Sequence, residues 1–328
     1  MITRGLLAEN GANDRLMANQ MDKLGTKDFA NLFGTTEDRV RDTAGEMIDS
    51  IDLRISKLEG VERDRLILEV LKKINSPVLK DAGCHREEEW EAGWRENLEE
   101  FVRSGFDLRL LVPKYYKQRV PIRLLGEYVM PAQPDFVYQY TRIFRAWLFR
   151  EYFESCRHVY EFGCGTGHNL MHLAELYPPK QLYGFDWAKS SQEILTIAAQ
   201  HFRLNIQCGS FNFFAPNMEI RFEPGGGVFT FGALEQIGAQ HERYLEFILQ
   251  KKPQICIDVI GIQELYDPDC LFDYLALSYH TRRSYLSGYL TRLRELEASG
   301  AIEILKTHRQ MFGNLFDDPY SYIVWRPL

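Results

Sequence analysis

The chain has 328 residues, 45% of them hydrophobic and 26% charged, with a formal net charge of −7. That length and balance describe an ordinary globular protein with material for one large core or two smaller ones. The acidic balance argues against a nucleic-acid or anionic-membrane partner, because both are held by clustered Lys and Arg.

Six cysteines (Cys84, Cys156, Cys164, Cys208, Cys256 and Cys270) are scattered, with no CxxC pair and no Cys/His cluster at zinc spacing. Reduced thiols and no bound metal are expected, although Asp258, Glu264 and Asp267 fall close together in sequence. No apolar run approaches the roughly 20 residues of a membrane span. The opening MITRGLLAENGANDRL lacks the apolar centre of a secretion signal. A cytoplasmic protein is the expectation.

In chain order, the first thirty or so residues are polar and glycine-punctuated, and some mobility is expected there. Over residues 36–75 apolar positions such as Val40, Ala44, Ile48, Ile51, Leu53, Ile55, Leu66, Val70 and Ile74 suggest two helices divided at Gly60. Residues 87–102, with Trp90, Trp94, Leu98 and Phe101, form a third amphipathic pattern. The i, i+4 tryptophans there suit core or interdomain packing. Four prolines then interrupt LRLLVPKYYKQRVPIRLLGEYVMPAQP (108–134), which reads as a linker or a loop over a cleft.

From about residue 136 the pattern changes. Helix-like VYQYTRIFRAWLFREYF precedes a short strand, HVYEFG (158–163), a glycine loop, and a helix stopped by Pro178 and Pro179. Strand QLYGFD (181–186) follows. Ser190 and Glu193 then suggest a capping box opening a helix through ILTIAAQHF. Strand-like NIQCGSFNFF, strand GVFTFGAL (227–234), helix HERYLEFILQ and strand QICIDVI (254–260) continue the alternation. It predicts parallel strands with crossover helices, an open α/β sheet. A long helix through YHTRRSYLSGYLTRLRELEASG comes next. The runs AIEILKTHRQMF and YSYIVWRPL should then pair antiparallel, one of them beside the fifth strand.

The loop in EFGCGTGHNL (161–170) lies between a strand and a helix, where bare backbone lets a ligand approach the helix N-terminus. Its spacing, Gly163-x-Gly165-x-Gly167 with His168 where a dinucleotide site has its third glycine, counts against NAD or FAD. Glu161 inside the strand end suits a cationic ammonium group, and Asp186, closing the next strand, suits the hydroxyls of a ribose. A ligand with an amino-acid end and a nucleoside end satisfies both carboxylates, and S-adenosylmethionine is such a ligand.

VYEFGCGTG (159–167) with LYGFDWA (182–188) resembles the class I S-adenosylmethionine-dependent methyltransferases, over about residues 136–328. The resemblance implies a Rossmann-like, seven-stranded, mostly parallel sheet with a terminal antiparallel strand. The expected division is a mainly helical substrate or lid region at 1–134 and the methyltransferase domain at 135–328. It places Glu161, Phe162, Gly163, Cys164, Gly165 and Gly167 toward the methionine end of the cofactor, Asp186 on the ribose and Trp187 on the adenine. Ser210 or Asn212, with Phe211, stands where the family often has an acidic residue near the adenine. Gly232 and the stretch FGALEQIG flank the transferring methyl, which makes Glu235 and Gln236 candidates there.

An alcohol acceptor needs a base, and the candidates are Glu235, His241, Glu264 and His280. The acceptor is expected to be a small molecule or glycan, in keeping with a looser likeness to methyltransferases of bacterial surface-polysaccharide pathways. Tyr115, Tyr116, Arg119, Arg123 and Tyr128 were the residues of the proline-rich segment suited to a hydroxylated or anionic ligand. O-methylation of a sugar or sugar-like metabolite is the leading expectation. The alternatives are methylation of a protein or lipid, an inactive cofactor-binding scaffold, or transfer of another group, as in aminopropyl transferases.

Overall fold

The computed structural model describes residues 21–328; the start of the polar N-terminal stretch lies outside the described residues, as does the side chain of Tyr115. The first part of the chain comprises β1 (Asp22–Lys23), α1 (Thr26–Phe33), α2 (Glu37–Ser50), β2 (Arg54–Lys57), α3 (Gly60–Ile74), α4 (Glu87–Arg103), β3 (Ile122–Leu124) and β4 (Glu127–Pro131). Then come α5 (Phe136–Tyr152), β5 (His158–Phe162), α6 (His168–Leu176), β6 (Gln181–Asp186), α7 (Lys189–Phe202), β7 (Ile206–Ser210), β8 (Gly227–Phe231), α8 (Glu242–Lys251) and β9 (Ile255–Val259). The chain ends with α9 (Leu271–Arg283), α10 (Tyr289–Ala298), β10 (Ile302–His308), β11 (Phe312–Gly313) and β12 (Tyr322–Pro327).

The strands from β5 onward, except β11, form one seven-stranded sheet in the order β10-β12-β9-β8-β5-β6-β7. β5 to β9 run parallel, and β12 inserts antiparallel between β9 and β10. This is the open α/β sheet that the alternation of elements predicts, in the Rossmann-like form that the resemblance implies. Val159, Leu182, Val228, Phe229, Ile257 and Val259 are buried because helices cover the sheet on both faces. β5 has β6 on one side and β8 on the other, so the chain reverses its direction of travel across the sheet there. In such sheets the crevice beyond the strand ends at that point receives the ligand.

The N-terminal part is mostly helical, and it also contains strands that the sequence pattern did not show. β1, β2, β4 and β3, joined by β11 from far along the chain, make a five-stranded antiparallel sheet. Residues 51–58 are therefore a strand region and not the end of a helix. Ile51, Leu53 and Ile55 alternate with polar residues, a period-2 signal that the helical reading overran. The proline-rich segment holds the β3–β4 hairpin. Its two-residue turn, Leu125–Gly126, has φ of 52° and 78°, the primed-turn geometry that matches strand twist. Leucine at the first turn position hid that hairpin.

Two further expectations are corrected. The long C-terminal helix is two, α9 and α10, interrupted where Ser284 takes φ 51°. Ser190 is not an N-cap: α7 begins at Lys189 after Ala188, and the serine hydroxyls bond elsewhere.

One buried apolar cluster runs through both parts. Phe29 and Phe33 of α1 pack on Tyr140 and Trp147 of α5, and Tyr140 stacks on Phe312 of β11. A buried ion network sits beside it. Arg123 of β3 lies 3.6 Å from Asp273 and 3.4 Å from Asp318, and Arg309 bonds both aspartates. Arg123 and Tyr128 are thus structural: Arg123 donates to the Phe316 carbonyl and Tyr128 to that of Leu315, each at 3.0 Å. Arg119 donates to the Pro131 carbonyl. The ligand-contact role expected for Arg123 and Tyr128 fails because both are needed to close the β3 side of the molecule.

Candidate functional site

A cavity of about 470 Å³ opens beyond the carboxyl ends of β5, β6 and β8, at the reversal point of the sheet. That volume lies within the usual range of small-molecule pockets. Gly163, Cys164 and Gly165 form one wall, with Asp186, Trp187 and Phe211 beside them. Gly167 caps the start of α6.

Asp186 is buried at this wall. Its Oδ2 accepts from the Gly165 amide at 2.9 Å and its Oδ1 from the Ala188 amide at 3.0 Å. A carboxylate has about four acceptor positions, so these bonds orient Asp186 without exhausting it. Burial pushes its carboxyl up to about 6, against the pull of those amides. Trp187 is half-buried and stacks near Phe214.

Glu161 lies one layer behind. It is fully buried, Oε1 accepts from Asn169 Nδ2 at 2.6 Å, and Oε2 has no partner. Burial raises its carboxyl to about 8, although the Asn169 bond and nearby Arg145 pull it down. Arg145 is itself buried and donates to Asn169 Oδ1 at 2.9 Å. Asn169 lines the cavity and so stands between Glu161 and the open space. His168, also in the wall, has a buried Nε2 without a partner, and burial together with Arg145 holds it well below the usual imidazole value.

The lining also includes Phe231, Gly232, Glu235, Gln236, Tyr279, Tyr285 and Asp317, and Ala233 packs against the glycine loop, where a Cβ on Gly163 would come within 2.3 Å of it. A Cβ at Gly232 would meet nothing within 4 Å, so the backbone there borders open space. Glu235 accepts from Gln236 Nε2 at 2.9 Å, and burial with the neighbouring charge of Asp317 raises its carboxyl to about 7. Asp317 accepts from His280 Nε2 at 2.8 Å and from Asn314 Nδ2 at 2.6 Å.

The sequence-predicted residues therefore divide. Gly163, Cys164, Gly165, Asp186, Trp187, Phe211, Gly232 and Glu235 come together around one cavity. Phe162 packs in the core against Phe185 and Phe211, and Ser210 is exposed at the end of β7. Asn212 shapes the following turn by accepting from the Phe214 amide. His280 reaches the cavity only through Asp317. His241 and Glu264 are not brought to it: His241 bonds the Ser287 carbonyl beside Tyr289, and Glu264 accepts from the Thr291 amide at the start of α10. Asp258 is also spent elsewhere, accepting from Thr230, Tyr289 and Trp325 in the core.

Sequence reasoning missed Asp317, which a loop between two strands gave no spacing to reveal. It also missed the covering role of α4. Trp90 and Trp94 stack at 5.7 Å and both line the cavity. A Cβ on Gly165, where φ is 51°, would come within 2.9 Å of the Trp94 ring. Glu91, between them, accepts from the Ser190 amide at 3.2 Å and the Ser190 hydroxyl at 2.7 Å, which pins α4 to the start of α7. The bareness of the loop thus serves a close approach of the protein's own tryptophan as well as room for a ligand.

No protein-family model and no curated protein matches the chain. Among solved structures it is similar to PigF bound to SAH, at 16% identity over 58% of this chain and 57% of that one, with a TM-score of 0.43. It is also similar to the CcbJ methyltransferase from Streptomyces caelestis, at 17% identity, 56% and 88% coverage and a TM-score of 0.39. The [4+2]-cyclase SpnF is similar at 13% identity, with 58% and 81% coverage and a TM-score of 0.42.

Proposed function

We propose that this protein is an S-adenosylmethionine-dependent methyltransferase acting on a small hydroxylated acceptor, a sugar or sugar-like metabolite. The observation that carries the reading is the pair of carboxylates at the ends of adjoining strands, Glu161 and Asp186, flanking a glycine loop that opens on the cavity. The donor set fits the cofactor. Asp186 keeps acceptor positions for hydroxyls, Trp187, Phe211, Phe213 and Phe214 supply aromatic walls, and Glu161 holds Asn169, which lines the cavity, in place from behind. Bound there, S-adenosylmethionine would supply a methyl group activated by its sulfonium for transfer to an acceptor oxygen.

The residues of the chain position the reactants and receive the proton. The Asp186 carboxylate is held by two backbone amides before any ligand arrives, so little ordering is left to do on binding. Glu235, raised to about 7, is matched to accept a hydroxyl proton near neutral pH. Trp90 and Trp94 of α4 line the cavity together with Gln118, Val120 and Ile122, which supports reading this part of the chain as its cover.

The test is calorimetric titration with S-adenosylhomocysteine, with NAD as control. S-adenosylhomocysteine alone should bind, and Asp186→Ala should weaken it about tenfold or more through lost hydroxyl bonds. Gly165→Val should weaken it too, because the new side chain meets Trp94 in a backbone conformation that valine avoids. Wild-type affinity in both variants would sink the assignment.

A further inference from the structure

Beyond the glycine loop and Asp186, the cavity lining offers a ligand carboxyl groups and ring faces. The charged residues that line the cavity are all acidic: Asp186, Glu235 and Asp317. No cation lines the cavity. Arg123 and Arg309 are bound to Asp273 and Asp318, Arg145 sits behind Asn169, Arg86 pairs with Glu89 and donates to Gln236, and Arg283, whose Nε has no partner, lies over Tyr285 at 4.9 Å. A phosphate or carboxylate entering here meets the carboxyls of Glu235 and Asp317 in the lining, with Arg283 behind the Tyr285 ring.

Asp317 is built into place. It is 2% exposed, reaches the cavity, and is oriented by His280 on one oxygen and Asn314 on the other. His280 is in turn seated against Gly261, where a Cβ would come within 2.7 Å of its ring, so the dyad has little room to turn away. Tyr279 and Tyr285 stand beside it, edge to face at 5.8 Å. A fixed carboxylate with aromatic faces next to it is the environment that holds an organic ammonium group.

Resting on the methyl-transfer reading of the same cavity, we infer that the acceptor is a hydroxylated small molecule bearing a protonated amine. Asp317 and the faces of Tyr279 and Tyr285 hold the ammonium, while Glu235 meets the hydroxyl. This narrows the acceptor from sugars in general to their cationic, amine-bearing relatives, and sets aside nucleotide sugars and other anionic metabolites. Asp317 is a specificity residue that the motif of the glycine loop does not reach.

The probes are tyramine, tyrosol and 4-hydroxyphenylacetate, which share a phenol and carry a cation, a neutral hydroxyl and an anion at the other end. Each is titrated calorimetrically into protein saturated with S-adenosylhomocysteine. Tyramine should bind about tenfold tighter than tyrosol, and 4-hydroxyphenylacetate weakest of the three. Asp317→Asn should bring tyramine to the level of tyrosol and leave tyrosol unchanged. Should that variant fail to fold, salt gives the second measurement on the wild type: added salt should weaken tyramine and leave tyrosol as it was.

Equal affinities, the reverse order, no binding by any of the three, or a cation preference that survives Asp317→Asn would overturn the proposal. Failure of S-adenosylhomocysteine to bind is a separate result, against methyl transfer. The charge series is then run on the ligand-free protein, where the same order is still required.

Discussion

At the scale of single residues, the most consequential group is Glu161, a carboxyl with one bonded and one unpartnered oxygen in a fully buried position. Its folded value of about 8 lies above the ordinary 4.5, because burial penalises the charged form more than Asn169 and Arg145 favour it. Glu235, at about 7, and Asp186, at about 6, are displaced in the same direction. Between the ordinary carboxyl value and about 8 the folded protein holds protons that the unfolded chain has released. Stability is therefore largest at the acid side of that window and falls as pH rises through it. The ligand-free protein should melt at a lower temperature at pH 8.5 than at pH 6, with a difference in stability on the order of a few kcal/mol. Glu161→Gln should remove most of that slope, and an unchanged slope in the variant would show that Glu161 is not its source. The carboxylate itself was legible in the sequence from its place before the glycines. Its partner Asn169 was not, because no local pattern says which side of the first turn of α6 faces the strand.

At the scale of elements, α4 shows why a correct helix assignment left the function of the helix unread. Its length and tryptophan spacing were plain in the sequence, and the packing expected of Trp90 and Trp94 is there: the rings stack on one another. What the spacing does not tell is that the same rings wall a cavity whose other side is built by residues about seventy positions later. The Glu91–Ser190 bonds hold α4 against α7, with Phe101, Ile194 and Ala198 in a small apolar cluster behind. Ser190→Ala removes the hydroxyl bond alone and should cost about 1 kcal/mol of stability. If α4 covers the ligand, the same variant should release S-adenosylhomocysteine several times faster by stopped-flow. An unchanged release rate would mean that α4 need not move. The β3–β4 hairpin is the opposite case: its strands were hidden by prolines and by an unusual turn residue, although the turn geometry is ordinary.

For the whole molecule, the parallel sheet and its inserted antiparallel strand were legible because each strand is a short apolar run between helix signals. The five-stranded sheet was not, because it is closed by β3 and β11, which only the folded chain brings together. The ion network reinforces that closure. Arg123 is 2% exposed and depends on Asp273 and Asp318 for charge balance. Asp318→Ala should destabilise the protein by about 3–5 kcal/mol in urea unfolding, since it strands a buried cation. A loss well under 1 kcal/mol would mean that Asp273 alone balances both arginines.

The pairing of β3 with β11 also bears on the order of events at the ribosome. β3 leaves it still lacking its neighbour, because Phe312 and Gly313 follow it by about 190 residues. At common translation speeds that interval is roughly ten to forty seconds. During it the backbone groups along β3 and the face of Tyr140 that stacks on Phe312 await their covering partner. The growing chain therefore carries an open strand edge through that interval, and such an edge is a template for pairing with another chain.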